Sequence, residues 1–463
     1  MRKALKWPLL LSLTAMLGLS AGCGGQSVSD NGAKETQGTE RQESNSLPGA
    51  ADGQRATPEP TASLTPAPTV TPKPTPTPLP QPKERIVEGK NIAPALAVTP
   101  LKEAYKDYFK IGVGLTGYAP NVMMLTSEAM SEIVEYHFNS TTLTNLMKPS
   151  YLLNQADSIQ NAKSGSPLPA VRFDGCIDAL EFCKEKGIGM RGHTLVWHAQ
   201  VPDWFFREGY ESDAPLVDRD TMLMRMESYI EQVLTFTQEN YPGVVYCWDV
   251  VNEAVEPAAG AHETETGYCI RTRNGDEENL WYTVVGADYV ERAFEYARKY
   301  AADGVKLFYN DYNTFQTVKN AKICALLRDL YDKGLVDGVG MQSYMGRSDP
   351  YIKGQSGSVQ RAIENFADIG LEIQLTELTI NIDEPDERSL LTQSVRYKEL
   401  FELLTRLDTD GGGKANITSV TFFGLMDEYM LYPDNKEYSR LFDGDLQPKQ
   451  ALYRILDVAE SLQ

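Results

Sequence analysis

The sequence predicts a (β/α)8 barrel over residues 86–463, and composition, length and pattern together favour this fold. Of 463 residues, 42% are hydrophobic and 10% aromatic, which is typical of globular proteins. Beyond residue 86, about 380 residues alternate short β-branched runs with longer amphipathic segments. Eight strands, each followed by a helix, is the count of this barrel, and the length suits it once insertions are included.

Eight runs rich in apolar and β-branched residues carry the strand pattern, and the segments after them have helical spacing. The predicted strands are Ile111–Gly117, His137–Thr144, Ile188–Trp197, Val244–Val251, Lys306–Asp311, Val336–Ser343, Glu372–Leu378 and Ile417–Leu425. The predicted helices are Ser127–Glu135, Phe173–Lys186, Asp220–Asn240, Ala287–Ala302, Thr317–Lys333, Ser358–Ile369, Arg388–Leu407 and Pro448–Ser461. The longest insertion, Glu256–Leu280, follows the fourth strand and is expected to lie over the C-terminal face of the barrel.

The first residues have the features of an export signal. Three basic residues precede the apolar run Pro8–Leu19, which is too short to span a bilayer permanently. Small residues then lead to Cys23, as in a bacterial lipoprotein box, although Ser20 stands where an aliphatic residue is usual. We therefore predict a signal peptide over residues 1–22 and a lipid anchor at Cys23 on the cell surface. An ordinary secretory signal with an incidental cysteine is the alternative.

Residues 23–85 are predicted to be a disordered tether and Pro/Thr-rich linker. Residues 24–56 are mostly Gly, Ser, Asn, Gln and Glu, and they have too few large apolar side chains to form a core. Residues 57–82 are a Pro/Thr tract, a composition that favours extended polyproline conformation and a semi-rigid spacer. Such a stalk would lift the domain at 86–463 off the cell surface.

The charge balance narrows the partners that the protein can bind. With 44 Lys+Arg and 64 Asp+Glu, the net charge is −20, which repels phosphate backbones and anionic lipid headgroups. We expect no nucleic-acid partner, membrane contact only through Cys23, and a monomer. The other cysteines show no spacing typical of a metal site, so no metal and no cofactor is expected, and no disulfide can be assigned. They are Cys176, Cys183, Cys247, Cys269 and Cys324.

Five consecutive predicted strands, the third to the seventh, end in polar side chains. In a barrel of this kind the active site lies at these C-terminal ends. The fourth strand ends at Glu253 and the seventh at Glu377, so the two carboxyl groups can face each other across the mouth. Glycoside hydrolysis needs one carboxyl group as proton donor and a second one facing the anomeric carbon. A separation of about 5–5.5 Å between them would retain the anomeric configuration.

Five motifs in a fixed order make this interpretation specific. They are GHTLVWHAQVPDWF (192–205), WDVVNEAV (248–255), YNDYNT (309–314), GVGMQS (338–343) and LTEL (375–378). In these motifs the chain resembles glycoside hydrolase family 10, the endo-1,4-β-xylanases, from Leu101 to the end of the eighth strand. The resemblance implies a retaining mechanism on a polysaccharide, xylan, with Glu253 as acid/base and Glu377 as nucleophile.

The same resemblance implies a set of residues that bind the sugar. Asn252 would bond the 2-hydroxyl of the sugar beside the nucleophile. The −1 and −2 subsites would be lined by Asn145, Lys148, His193, Trp197 and Gln342. Taken alone, His193 or Trp197 is more readily explained as core packing, and Lys148 as a solvated lysine. His198 is expected to give structural support, and Asp249 to brace the rim without reacting.

The chain also departs from the family pattern at four positions. Thr144 replaces a Glu that would bond the −2 sugar, and Tyr344 replaces a histidine that ordinarily bonds the nucleophile. Phe423, on strand eight, and Leu431, beyond it, replace two tryptophans. A tyrosine hydroxyl could still donate to Glu377, and Phe423 can pack but supplies no hydrogen bond. We interpret these changes as altered specificity or rate with the chemistry intact, and we include Tyr344 and Phe423 among the candidate substrate-binding residues.

Three functions remain open on the sequence. The first is a retaining endo-1,4-β-xylanase acting outside the cell. The second has the same mechanism but acts on heavily branched xylan or another β-glycan, which the changed subsite residues favour. The third is a catalytically weak, surface-anchored glycan-binding lipoprotein, which the presence of both carboxyl groups opposes.

Overall fold

The predicted barrel is confirmed. The computed structural model describes residues 84–117, 123–258, 261–427 and 437–462. The predicted signal peptide, Cys23 and nearly all of the predicted tether therefore lie outside the described residues. Eight parallel strands form the closed barrel. They are β1 (Lys110–Leu115), β2 (Ser140–Leu143), β3 (Gly189–Trp197), β4 (Val245–Asn252), β5 (Lys306–Tyr312), β6 (Gly338–Met345), β7 (Glu372–Ile380) and β8 (Asn416–Phe422).

Irregular strand pairing marks the rim of the barrel. Each strand pairs in parallel with the next, and β8 pairs with β1 to close the sheet. The register shifts between His193 and Val196 in β3, beyond Gln342 in β6, and around Glu377 in β7. Because a bulge re-aims the side chains beside it, these shifts turn residues of the C-terminal ends toward the mouth.

In the part of the chain that the structure describes, eight helices cover the barrel, and polar caps define where several of them begin. They are α1 (Glu128–His137), α2 (Ile177–Lys186), α3 (Arg219–Asn240), α4 (Tyr289–Tyr300), α5 (Thr317–Asp332), α6 (Val359–Ala367), α7 (Glu387–Leu407) and α8 (Gln450–Ser461). The residue before each of α1, α3, α6 and α7 accepts a hydrogen bond from the main-chain N–H three residues on. These caps are Ser127, Asp218, Ser358 and Asp386. Such caps satisfy N–H groups that the helix leaves unpaired.

The start of the predicted second strand, at His137, is wrong. His137 is the last residue of α1, and β2 begins at Ser140. The imidazole is buried and bonded on both nitrogens, because Nε2 lies 2.7 Å from the carbonyl O of Ala95 and Nδ1 accepts from the N–H of Leu101 at 3.4 Å. The helix α1 therefore extends to His137, whose side chain belongs to its buried face. The sequence around His137 resembles a strand and does not show where the helix ends.

Shorter elements join the barrel strands and helices. The short helices are Ala93–Leu96, Leu101–Ala104, Pro149–Leu152, Gln155–Lys163 and Leu280–Val285, with 3-10 turns at Met123–Thr126, Asp203–Phe206 and Glu208–Tyr210. In the described ranges, two-residue strands form four antiparallel pairs: Ile86–Val87 with Lys90–Asn91, Leu153–Asn154 with Ala170–Val171, His262–Glu263 with Cys269–Ile270, and Arg273–Asn274 with Glu277–Glu278. Within the described ranges, no helix is both long and apolar enough to cross a membrane.

The described cysteines are all reduced. Each of the five is buried, and none of them forms a disulfide. Cys176 directly precedes α2 and Cys183 lies within it, and both pack in the core, as their spacing in a helical pattern indicates. Burial raises the pKa of both thiols, so neither is poised to react as a thiolate.

Packing at the start of the first motif requires a glycine. Trp248 is 1% exposed, and its indole lies directly against Gly192 on the neighbouring strand. A Cβ atom on Gly192 would approach the ring to 2.3 Å. This close contact joins β3, which carries His193, to β4, which Glu253 follows.

We expect Gly192→Ala to lower the free energy of unfolding by about 1–3 kcal/mol, because the added methyl group overpacks the core. Chemical denaturation would measure the loss. Gly175→Ala is the matched control, since a Cβ atom there would meet only Leu146, at an ordinary contact distance of 3.6 Å. Equal stability of the two variants would contradict the prediction.

Candidate active site

The candidate site residues that lie in the described ranges meet at one rim of the barrel. Residues following β2 and the C-terminal ends of β3, β4, β6, β7 and β8 supply them. They are Asn145, Lys148, His193, Trp197, Asn252, Glu253, Gln342, Tyr344, Glu377 and Phe423. The structure thus brings together every predicted site residue except Cys23, the proposed lipidation site, which lies outside the described residues.

Glu253 follows β4 and accepts three hydrogen bonds from neighbouring side chains. Trp197 Nε1 donates to Oε2 at 3.1 Å, while Gln342 Nε2 and Asn252 Nδ2 donate to Oε1 at 3.0 and 3.3 Å. Burial and the nearby carboxylate of Asp311 nevertheless raise the pKa of Glu253 above its ordinary value. A raised pKa favours the protonated form, which a proton donor needs at the start of a reaction.

Glu377 lies within β7 and contacts two side chains. Asn310 Nδ2 is 3.4 Å from Oε1, and the hydroxyl of Tyr344 donates to Oε2. The tyrosine hydroxyl therefore makes the contact that the sequence suggested for it. Both oxygens of this carboxylate are held by donors, which fixes its orientation toward the mouth.

The two glutamates share an unusual main-chain conformation. Glu253 and Glu377 both have φ of 56°, in the left-handed region. For a residue with a side chain this region costs about 1–2 kcal/mol, so the surrounding structure must hold each glutamate in place. Seven non-glycine residues in the described ranges have positive φ, and the two predicted catalytic residues are among them. Such conformations are enriched at functional sites.

A chain of hydrogen bonds joins the two carboxyl groups across the mouth. Gln342 Nε2 donates both to Glu253 and, at 3.1 Å, to Asn252 Oδ1. Asn310 Nδ2 lies 3.0 Å from the same Asn252 oxygen and also contacts Glu377. Each side chain in this series of hydrogen bonds is fixed by its neighbours. The relative position of the two carboxyl groups is therefore fixed as well.

Lys148 and Asn145 form one wall of the site beside Trp197. Lys148 Nζ donates to Asn145 Oδ1 at 3.1 Å and lies 4.9 Å from the centre of the Trp197 ring. Burial lowers the pKa of Lys148 to about 8, although the carboxylates of Glu377 and Glu253 limit the fall. Lys148 is 7% exposed and lies near the carboxylates of Glu253 and Glu377, unlike a solvated surface lysine.

His193 is held by a buried ion pair beneath the rim. Its Nδ1 lies 2.9 Å from Asp249 Oδ2, and Arg191 reaches the same carboxylate at 2.7 and 3.1 Å. Burial alone would raise the pKa of Asp249, but Arg191 and His193 outweigh it and lower the pKa. Asp249 therefore stays ionised and braces the rim, in the supporting position that the sequence suggested.

His198 and Thr144 both contact neighbouring parts of the protein. His198 packs edge-on against Trp197, with ring centroids 5.9 Å apart. Partial burial, Arg271 and Lys319 lower its pKa well below the ordinary value, so the ring stays neutral. The Thr144 hydroxyl donates to the main-chain O of Leu115 at 3.3 Å. Thr144 therefore bonds the neighbouring strand, where the family's Glu would bond a sugar.

Tyr344 and Phe423 form an aromatic wall beside Glu377. Their ring centroids are 5.7 Å apart and the ring planes are nearly perpendicular, at 84°. A cavity of about 330 Å³ lies against this wall and is lined by Tyr344, Met345, Thr379, Asn381, Phe423 and Glu437. Leu431, the other changed position, lies outside the described residues.

Two residues at the site, Asn310 and Arg271, were assigned no role from the sequence. Asn310 contacts Asn252, Glu377 and, through its Oδ1, the hydroxyl of Thr376 at 2.7 Å. Its place in the YNDYNT motif could have indicated it. Arg271 belongs to the insertion and donates to the main-chain O of Glu253 at 2.9 Å. No motif pointed to it, because this contact exists only after the insertion folds back.

Substitution of Gln342 should change the pH dependence of any acid-catalysed step. The hydrogen bond from Gln342 lowers the pKa of Glu253, so Gln342→Met should raise that pKa and extend the alkaline limb of kcat/KM to higher pH. Loss of this bond should also reduce kcat/KM about fivefold. Gln393→Met is the control, since Gln393 is equally buried but bonds only the main chain beside α7. An unshifted or acid-shifted limb in Gln342→Met would contradict the prediction.

Fold and site together define a class of enzyme. A (β/α)8 barrel carries its active site at the C-terminal ends of the strands, where this chain places two carboxyl groups, amides and an indole. One carboxyl group has a raised pKa, and a second lies three strands away in the barrel order. This is the inventory of glycoside hydrolysis, and the chain is a glycoside hydrolase.

Comparison with known families agrees with this class. Residues 100–458 match the family described as Glycosyl hydrolase family 10. The match covers most of the chain, so the protein belongs to this family.

Curated relatives and solved structures extend the comparison. The chain is 46% identical over 315 residues to a putative endo-1,4-beta-xylanase of Caldicellulosiruptor saccharolyticus, covering 67% of this chain and 96% of the relative. It is 41% identical over 365 residues to endo-1,4-beta-xylanase B of Butyrivibrio fibrisolvens, covering 78% of this chain but only 53% of that relative.

Among solved structures, the CBM22-1–GH10 modules of Clostridium thermocellum endo-1,4-beta-D-xylanase 10B, complexed with xylohexaose, superpose with a TM-score of 0.68. That pair is 32% identical and covers 78% of this chain and 68% of the other. An endo-1,4-beta-xylanase of Caldicellulosiruptor owensensis superposes with a TM-score of 0.62 at 33% identity, covering 78% of this chain and all of that one.

Proposed function

We propose that this protein is an endo-1,4-β-xylanase that cleaves internal β-1,4-xylosidic bonds with retention of configuration. The observation that carries the proposal is the hydrogen-bond chain through Gln342, Asn252 and Asn310, which joins Glu253 to Glu377 across the mouth. The relatives with this fold are named as xylanases, and one related structure holds xylohexaose.

In the first step Glu253 acts as the acid. Its raised pKa keeps a proton available, which passes to the glycosidic oxygen as the bond to the anomeric carbon breaks. Glu377 attacks the anomeric carbon from the opposite side and forms a covalent glycosyl-enzyme. The fixed contacts of Glu377 with Asn310 and Tyr344 orient the carboxylate for this attack.

In the second step Glu253 acts as the base. Having lost its proton to the leaving group, the carboxylate accepts one from water, and that water attacks the anomeric carbon. Glu377 leaves as a carboxylate, and the sugar regains its original configuration. Trp197 and Gln342, which donate to Glu253, stabilise the ionised form that exists between the two steps.

The remaining rim residues are proposed to bind the sugar chain. Hydroxyl groups need donors and acceptors, which Asn145, Lys148, His193, Asn252 and Gln342 can supply. The rings of Trp197, Tyr344 and Phe423 offer apolar faces to the sugar. A protein of net charge −20 suits an uncharged polysaccharide better than an anionic one.

One observation favours a variant of this function, hydrolysis of branched xylan. The cavity beside Tyr344 and Phe423 adjoins the nucleophile through the tyrosine hydroxyl, and its polar lining could hold a substituent of the main chain. Thr144 bonds the main chain rather than facing a sugar, so contacts at the −2 position are reduced. Both differences concern which xylan is cleaved and leave the mechanism unchanged.

We further propose that the protein is a cell-surface lipoprotein, held by an acylated Cys23 at the end of the tether. The basic, apolar and small-residue segments before Cys23 support this location. Mass spectrometry of the mature N-terminus would test it. An N-terminus that begins elsewhere, or an unmodified Cys23, would favour the secreted alternative.

Incubation with a panel of polysaccharides tests the proposed function directly. The protein is incubated with linear xylan, arabinoxylan and mixed-linkage β-glucan, and the products are followed by chromatography and by NMR of the new reducing end. Short xylo-oligosaccharides released first as the β-anomer are expected. Release of the α-anomer would refute retention, and binding of xylo-oligosaccharides without products would favour the weak glycan-binding function.

A further inference from the structure

The main chain of Glu253 is held by one hydrogen bond on each side. Its N–H donates to the carbonyl O of Asn310 at 2.9 Å, and its own carbonyl O accepts from Arg271 Nε, also at 2.9 Å. These contacts matter because Glu253 has φ of 56°, which a side-chain-bearing residue does not maintain unaided. Of the two partners, Asn310 belongs to the neighbouring strand of the barrel, whereas Arg271 comes from outside the sheet.

Arg271 is itself fixed by further contacts. Its Nη2 donates to Glu256 Oε2 and to the hydroxyl of Tyr312, each at 2.8 Å. The side chain is only 12% exposed. Burial opposes its charge, but Tyr312 and Glu256 outweigh burial and raise its pKa, so the guanidinium stays charged. A planar guanidinium with several fixed donors holds its partners in one geometry, which a lysine does not.

The insertion after β4 is what brings Arg271 to this position. Residues 269–271 of the insertion pair with residues 254–256, since Arg271 N donates to Ala254 O at 2.8 Å and Glu256 N donates to Cys269 O at 2.9 Å. An antiparallel bridge between Val255 and Ile270 lies between these bonds. The returning strand thus runs beside the residues that follow Glu253, and Arg271 points back at the Glu253 carbonyl.

We propose that Arg271 is a positioning residue for the acid/base, and that the insertion at 256–280 serves to deliver it. Arg271 holds the main-chain carbonyl of Glu253. The side-chain carboxyl group of Glu253 thereby stays hydrogen-bonded to Trp197 and Gln342 and directed at the leaving-group oxygen. It touches neither substrate nor the reacting atoms. This role rests on the proposed function, because it acts through the proton donor of that reaction.

The test compares two substrates with the same sugar and different aryl leaving groups. Phenyl β-xylobioside releases a poor leaving group that needs a proton from the acid, whereas 2,4-dinitrophenyl β-xylobioside releases 2,4-dinitrophenolate, which leaves as an anion without one. kcat/KM is measured because it reports the first step, in which Glu253 is the acid. Arg271→Gln should lose about 30-fold on the phenyl substrate and less than about threefold on the dinitrophenyl substrate. Arg273→Gln, in the same insertion but exposed, is the matched control and should change neither.

A second variant separates charge from geometry and guards against misfolding. Arg271→Lys keeps the charge but not the arrangement of donors, so it should show a smaller loss with the same dependence on leaving group. The positive charge of Arg271 lowers the pKa of Glu253, so the alkaline limb should move to higher pH in Arg271→Gln and stay in place in Arg271→Lys. Thermal unfolding of each variant accompanies the kinetics.

Each outcome decides between a positioning role and its alternatives. Equal losses on both substrates would overturn the proposal, because they indicate a role in general folding or substrate binding. No loss on either substrate would overturn it as well. Wild-type turnover of the phenyl substrate tests the proposed function separately, and a wild-type protein that hydrolyses neither substrate would remove both proposals.

Discussion

Glu377→Gln is expected to reduce kcat/KM on linear xylan by about 10⁴-fold or more, because an amide cannot attack the anomeric carbon to form the covalent intermediate. The change keeps the size of the side chain and leaves an oxygen for Asn310 to contact. Binding should therefore survive while turnover is lost. Release of reducing ends from xylan and calorimetric titration with xylohexaose would measure the two quantities.

Glu372→Gln provides the control for this prediction. Glu372 lies in the same strand, β7, but at its opposite end, where it pairs with Lys306 at 3.0 Å away from the mouth. The same chemical change there should leave turnover within about twofold, since a partly exposed ion pair contributes little. If Glu377→Gln retains more than a few per cent of wild-type turnover, Glu377 is not the nucleophile.

Glu253→Gln is expected to reduce kcat/KM on xylan by about 10²–10⁴-fold, the range that general acid catalysis supplies. An amide cannot donate the proton that the leaving oxygen needs. The alkaline limb of the pH profile should also disappear, since in the wild type that limb reports loss of the proton from Glu253, whose pKa is raised by burial and by Asp311. Initial rates across the pH range would show both effects.

A small nucleophilic anion offers a further check on Glu253. Once the acid/base is gone, azide can reach the glycosyl-enzyme without base assistance, so added azide should accelerate turnover of the dinitrophenyl substrate and yield a β-xylobiosyl azide. Glu263→Gln is the control, because Glu263 lies in the insertion and pairs with Lys322 rather than facing the mouth. An α-azide product, or no response to azide, would assign the acid/base elsewhere.

Periodicity in the sequence predicted most of the fold. Runs of β-branched residues mark strands that are buried on both faces, and all eight predicted strands overlap the eight strands of the barrel. The error at His137 arose because a buried helix end and a strand start can share one apolar run. The helix Gln155–Lys163 was missed since its residues are mostly polar, and it is the surrounding chain that stabilises it.

The candidate site was partly predictable, because motifs identify candidate residues but not the residues that they contact in the folded chain. Glu253 and Glu377 could be placed on strand ends from the sequence, and Tyr344 could be assigned a hydroxyl near the nucleophile. The YNDYNT motif could have indicated Asn310 but not its partners, and nothing in the sequence indicated Arg271, because the contacts of both residues form only in the folded chain. Long-range contacts of this kind leave no local pattern in composition or spacing.

The left-handed backbone at positions 253 and 377 implies a trade-off between stability and activity. Glycine would suit φ of 56° better than glutamate, so the chain tolerates at each position a conformer that its own side chain disfavours. The most stable sequence for this barrel and the active one therefore differ at the two residues proposed to do the chemistry. Selecting variants by unfolding temperature alone would therefore favour substitutions at these positions that abolish turnover. Selection for heat resistance in this protein needs turnover as a second criterion.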